Sequence, residues 1–174
     1  MDPVIIAILF IIILAGAAKI KTTDDGKIKD ESVTVKLVLE KIEQFKIELN
    51  PKLKLGYTEK SIQKQLDTHL KNNFEHVIRE YGIEGINGTK IDFDIGHGKV
   101  GLEIKLADSV YKSSGYQRML GQLQEYTNAK YKKKNLIVLV AGSDQQKKET
   151  AMITKLKANI ENNNAIFCFT KIPS

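Results

Sequence analysis

Between residues 90 and 106 the chain alternates apolar and polar side chains twice, KIDFDI and then KVGLEIKL, on either side of Gly96-His97-Gly98. A period of two commits such a stretch to two strands joined by a tight turn, with Ile91, Phe93, Ile95, Val100, Leu102 and Ile104 on one face. If His97 and Gly98 are the turn residues, Ile95 faces Val100, Phe93 faces Leu102 and Ile91 faces Ile104. The opposite face then sets Asp94 against Gly101, Asp92 against Glu103 and Lys90 against Lys105, with directly opposed Cβ atoms roughly 5 Å apart. Two carboxylates meet there. Like charges opposed across a ladder destabilise it, so the fold must either supply a cation or protonate one acid. A hard divalent ion such as Mg²⁺ suits oxygen ligands and needs only one or two carboxylates. Lys105, two residues beyond Glu103 on the same face, is expected to be exposed and dispensable for packing. Asp94 shares the acidic face as a secondary candidate.

Elements on both sides of the hairpin place the chain in the α/β class. Thr58 is an N-cap for a helix over 59–73, in which Ile62, Leu66, Leu70 and Phe74 recur at steps of three and four. Residues 76–81 read as a first strand, 115–132 as a helix, and 135–141 (NLIVLVA) as a strand covered on both faces. Asp144 caps a further helix to about 161, and 166–169 closes the chain as a strand. Upstream, 32–49 reads as an amphipathic helix ended by Asn50-Pro51, and 21–30 as a polar linker with Gly26.

The amino terminus has a different character. Residues 3–18 carry no charge, and as a helix they would reach roughly 24 Å, close to the roughly 30 Å hydrocarbon layer. Lys19 and Lys21 follow at once, which favours a membrane anchor with the remaining chain in the cytoplasm. A cleaved signal ending near Ala15-Gly16-Ala17 and a helix buried between subunits are the alternatives. The chain thus divides into an anchor at 1–20, a linker and amphipathic helix at 21–56, and a domain at 57–174.

Composition removes several classes of function. A single cysteine, Cys168, excludes a disulfide framework and any zinc site that needs two thiolates. The G-x-G-x-x-G at 96–101 leads into a strand rather than a helix, so it is no dinucleotide loop, and no phosphate-binding G-x-x-x-x-G-K-[ST] occurs. The net charge of +6 is compatible with a polyanionic partner without requiring one.

Ile91-Asp92, followed by Glu103-Ile104-Lys105, resembles motifs II and III of the PD-(D/E)xK nuclease superfamily, with Ile91 standing where the superfamily name has Pro. The order helix, three-stranded meander, helix, strand is similar to the restriction-endonuclease-like core, preceded here by the apolar N-terminal helix. Glu59 falls where many members carry a Glu in the first helix, and Gln122-Leu123-Gln124-Glu125-Tyr126 looks like their Gln-x-x-x-Tyr. The likeness spans roughly residues 57 to 170. It implies a nuclease, DNA foremost among its substrates, with Mg²⁺ or Mn²⁺ held by Asp92, Glu103, the Ile104 carbonyl and Glu59. Lys105 would act on the attacking water or the developing charge, while Gln122 and Tyr126 would position Lys105 or a phosphate. Lys130, Lys132, Lys133 and Lys134, beside Tyr131, would neutralise phosphates, as could Lys147, Lys148, Lys155 and Lys157. So small a nuclease would rely on a homodimer or another subunit. Plainer roles stand beside these: helix-dipole acid for Glu59, surface amide for Gln122, core packing for Tyr126, solvated surface for the lysines. A non-catalytic nucleic-acid-binding module and a membrane-anchored assembly module are the other functional classes. His97 is expected in solvent at the turn tip, and His69 and His76 have no evident partner.

Overall fold

The computed structural model describes residues 20–48, 57–85 and 88–173. The apolar stretch 3–18 and the helix stop at Asn50-Pro51 lie outside them. Among the described residues no helix is long and apolar enough to cross a membrane.

A five-stranded mixed sheet organises the chain, in the order β1-β2-β3-β4-β5. The strands are β1 (Val77–Gly82), β2 (Lys90–Ile95), β3 (Val100–Leu106), β4 (Leu136–Gly142) and β5 (Ala165–Lys171). The first three form an antiparallel meander, and β4 and β5 run parallel to β3. Parallel pairing requires crossovers; the helices of both crossovers lie on one face of the sheet, and helices that precede β1 cover the other. Helices α1 (Val35–Gln44) and α2 (Glu59–Asn73) cover one face, where Val38, Ile42, Ile62, Leu66 and Leu70 meet Phe93, Ile95, Leu102, Ile104 and Leu139. The other face carries α3 (Ala107–Val110), α4 (Ser113–Ala129), α5 (Asp144–Lys148) and α6 (Thr150–Asn162), with Met119, Leu123, Tyr126, Leu156 and Ile160 against Val138 and Val140. The unbroken apolar run of β4 follows, since its alternate residues feed both cores.

Local chemistry sets the boundaries. Thr58 and Ser61 form a reciprocal capping box, each side chain taking the other's backbone N–H, which starts α2 at Glu59. At the hairpin tip Gly96 (φ 67°), His97 (φ 53°) and Gly98 (φ 87°) all take positive φ, and the pairs Ile95–Val100, Asp94–Gly101 and Phe93–Leu102 keep the expected register.

Several expectations require correction. The helix expected over 32–49 is a 3₁₀ turn at Asp30–Ser32 followed by α1, capped by Thr34; Phe45 and Ile47 lie beyond it, extended but buried. The stretch read as linker and amphipathic helix packs in the main core, because Ile28, Val33, Val38 and Ile42 lie in the same cluster as α2 and the sheet. The helix from 144 is capped by Ser143, not Asp144, and breaks at Glu149 (ψ 70°) into α5 and α6. Helix α4 ends at Ala129, so Tyr131 leaves it and is fully buried. Ile91 joins the core of Met119 and Tyr126 rather than that of Phe93, so the apolar face of the hairpin does not run on through Ile91.

Candidate active site

Beyond Phe93–Leu102 the β2–β3 ladder stops, and the opposed Asp92–Glu103 pair of a regular ladder does not form. The Gly101 N–H points to the Asn135 carbonyl on the β4 side (2.9 Å). By alternation the N–H groups of Leu102, Ile104 and Leu106 point toward β2. Two of these are taken by side chains: Ile104 N–H donates to Asp92 Oδ2 (2.7 Å) and Leu106 N–H donates to Glu59 Oε1 (3.2 Å). Carboxylates therefore replace backbone carbonyls along the opened edge, and Asp92 and Glu59 are held against β3. Gln63, one turn after Glu59 on α2, donates from Nε2 to Asp92 Oδ1 (2.6 Å).

Glu103, 2% exposed, lies beneath this edge. Its Oε1 pairs with Lys105 Nζ at 2.6 Å, while its Oε2 is buried with no hydrogen-bond partner. Lys105 is thus not the exposed group expected; its side chain is 12% exposed and its ammonium neutralises a buried acid. Burial first, and the neighbouring Glu103 charge second, push Asp92 up to about 7. Burial also raises Glu103, against the pull of Lys105. Gln122 and Tyr126 close the inner side: the Tyr126 hydroxyl donates to the Lys90 carbonyl (2.8 Å) and accepts from Gln122 Nε2 (3.4 Å). Burial, then the charges of Glu103 and Asp92, drive the Tyr126 hydroxyl far above its ordinary range. Gln122 Oε1 is the second buried oxygen at the site without a partner.

A cavity of about 550 Å³ opens beside Glu59, Lys105 and Gln122, and its wall includes Ser109, Lys112, Ser114 and Arg118. These wall residues were not foreseen, although Arg118 precedes Gln122 by four residues and Gln63 follows Glu59 by four, the spacing that shares a helix face. The lysine cluster goes elsewhere. Lys133 and Lys134 line a separate cavity with Lys36, Lys99 and Asn135, at the end of β4 opposite to Val140, the neighbour of Lys105. Lys132 lies in the same loop before β4. Lys130 sits 3.9 Å from the centre of the Tyr81 ring and pairs with Asp94 at 3.2 Å. Asp94 is 2% exposed and also accepts from the Tyr131 hydroxyl (2.5 Å) and the Gly98 N–H (2.9 Å), which makes it a fastening of the turn and not part of the carboxylate site. His69 Nε2 lies 2.7 Å from the Lys41 carbonyl, and His76 Nδ1 2.6 Å from Asp30. No protein-family model, curated protein or solved structure matches the chain.

Proposed function

We propose that the chain is a metal-dependent phosphodiesterase of the PD-(D/E)xK kind, with a restriction-endonuclease-like core, acting on nucleic acid and tethered to the membrane through residues 3–18. The observation that carries the reading is the unpartnered, buried Oε2 of Glu103 beside Asp92 on a strand edge from which a neighbouring strand has been parted. A buried carboxyl oxygen without a well-formed hydrogen bond is costly, and with burial raising Glu103 either a proton or a cation relieves it; we take the cation, because Lys105 is already bound to Oε1. Asp92, Glu103, the Ile104 carbonyl and Glu59 would supply an all-oxygen donor set suited to Mg²⁺ or Mn²⁺, and since the three carboxylates do not already stand within 4.8 Å of one another, the ion would have to draw them together. When bound, such an ion would polarise a phosphodiester and make a water more acidic.

The chain's own groups supply the rest. Lys105 brings a positive charge to the cavity rim, where it stabilises charge building on a phosphate. Gln122 can accept through its free Oε1 and so orient a water or the Lys105 ammonium. Lys112 and Arg118 offer cationic anchors for flanking phosphates, a role proposed for them in place of Lys130, Lys132, Lys133 and Lys134. The tether rests on the apolar sequence of 3–18 and the lysines that follow it.

The test is incubation of the purified full-length chain with supercoiled plasmid, single-stranded DNA and RNA in Mg²⁺ or Mn²⁺. Cleavage should need the metal, disappear in Asp92→Asn and Glu103→Gln, and fall at least a hundredfold in Lys105→Met, which keeps the aliphatic stem. Mn²⁺ should also raise the melting temperature of the wild type and not of Asp92→Asn. Absence of cleavage of all three substrates together with an equal thermal shift in both proteins removes the assignment.

A further inference from the structure

At the turn end of the hairpin, away from the carboxylate site, three side chains from distant parts of the sequence converge. Asp30 comes from the N-terminal arm, His76 precedes β1, and His97 occupies the β2–β3 turn. His76 Nδ1 is 2.6 Å and His97 Nε2 3.3 Å from Asp30 Oδ2, and the two ring centres are 4.2 Å apart. One ligand atom from each residue lies within 4.8 Å of the other two. Backbone contacts hold all three segments: Glu75 N–H donates to the Ile28 carbonyl (3.0 Å) and Gly96 N–H to the His76 carbonyl (3.0 Å). Asp30 Oδ1 is buried and has no hydrogen-bond partner.

We propose that Asp30, His76 and His97 bind a divalent ion of the zinc class, fastening the N-terminal arm to the turn end of the sheet. Two imidazoles and a carboxylate are a borderline donor set that takes Zn²⁺, Co²⁺ or Ni²⁺ far better than Mg²⁺. Three ligand atoms within 4.8 Å of one another repel unless a proton, as in the His76–Asp30 hydrogen bond, or a cation sits among them, and both rings are about half exposed, so an ion can reach them. Ligands about 2.0–2.1 Å from a tetrahedral ion lie roughly 3.3 Å from one another, so small side-chain rotations would seat the ion. Three protein ligands leave one position for water, and nothing in the set requires a second chain. The ion would be chemically separate from any Mg²⁺ at Asp92, since the pairs Ile95–Val100, Asp94–Gly101 and Phe93–Leu102 intervene.

The experiment uses the full-length chain without a polyhistidine tag, stripped with a chelator and titrated with Zn²⁺ and Co²⁺. One equivalent should bind, Co²⁺ should give the visible absorption of a nitrogen-ligated ion of low coordination number, and Zn²⁺ should raise the melting temperature. His76→Gln and His97→Asn should each weaken binding at least tenfold; Asn tolerates the left-handed turn position. Asp92→Asn should bind Zn²⁺ as the wild type does, which separates this site from the one proposed for catalysis. Unchanged affinity in both histidine variants overturns the proposal, as does a wild-type chain that binds neither ion. If a variant fails to fold, the wild-type Co²⁺ spectrum still decides.

Discussion

Asp92 does two opposed things with one carboxyl group: it fills the hydrogen-bonding place of a missing strand neighbour, and it remains an acid close to Glu103. A proton relieves the second at the expense of nothing in the first, because the remaining oxygen can still accept from Ile104. With a pKa of about 7 in the fold against about 4 in the unfolded chain, the folded state binds more protons between those values. Stability due to this group is therefore fully present below about pH 4 and declines as pH rises toward 7, with a total on the order of 4 kcal/mol. The melting temperature of Asp92→Asn should gain on that of the wild type from pH 5 to pH 8 in chelator, and Mg²⁺ should narrow the gap at pH 8. A pH-independent difference between the two proteins would contradict this. Lys105 belongs to the same balance. Removing it strands the buried Glu103 or forces its protonation, a loss of about 3–5 kcal/mol by precedent for broken buried pairs, which is why loss of activity in a Lys105 variant must be read beside its melting curve.

The β2–β3 hairpin shows at the level of an element what alternation can and cannot reveal. Its tip follows the sequence rule closely, since Asp94–Gly101 and Phe93–Leu102 pair as period and turn chemistry require. Its open end does not, because a neighbour from outside the hairpin, Glu59 on α2, competes for the Leu106 N–H, and Asp92 competes for that of Ile104. The part played by Glu59 comes from outside residues 90–106 and leaves no mark in their alternation. Spacing anticipates that Asp92 and Glu103 come close, though not as the opposed ladder pair it predicts, while Glu59 as a site residue rests on the family resemblance alone. The wall at Lys112 and Arg118 depends on α3 turning the chain before α4, and Lys130 stands apart from that wall because it pairs with Asp94, toward which Tyr131 is also drawn inward. Gly101 is closely packed: an added Cβ would stand 2.7 Å from Ile91 Cδ1 and 2.8 Å from Tyr131 Cδ2. Gly101→Ala should cost about 1–3 kcal/mol and, by pushing Tyr131 from Asp94, loosen the turn. Chemical denaturation measures the first, and amide exchange at Gly98, whose N–H donates to Asp94, measures the second. A neutral substitution would show that the ring moves aside freely.

For the molecule as a whole, residues 28 to 47 pack with the sheet and its helices and do not stand apart as a segment ahead of residue 57. Ile28, Val33, Val38, Ile42, Phe45 and Ile47 are all buried in the core that backs the Asp92 edge, and Ile28 bridges to Phe74 at the end of α2. At about 1.5–3 kcal/mol for each buried aliphatic or aromatic side chain, these six together match or exceed the 5–15 kcal/mol by which an ordinary domain is stable. A chain cut to 57–174 should therefore be unfolded or molten, while 20–174 should keep a cooperative transition at the temperature of the full-length protein. Membrane attachment is then tested on a pair of folded proteins. The full-length chain should stay with membranes through high-salt and carbonate washes, because burial in hydrocarbon is not screened by ions as attraction between surface charges is, and 20–174 should be found in the supernatant. Terminal sequencing of the membrane-bound form should read from the first residues; a mature terminus near Ala18 or Lys19 would instead identify a cleaved signal. Release of the intact chain by the washes would remove the tether and leave 3–18 to pack between subunits, an outcome that the mass of the released particle would show directly.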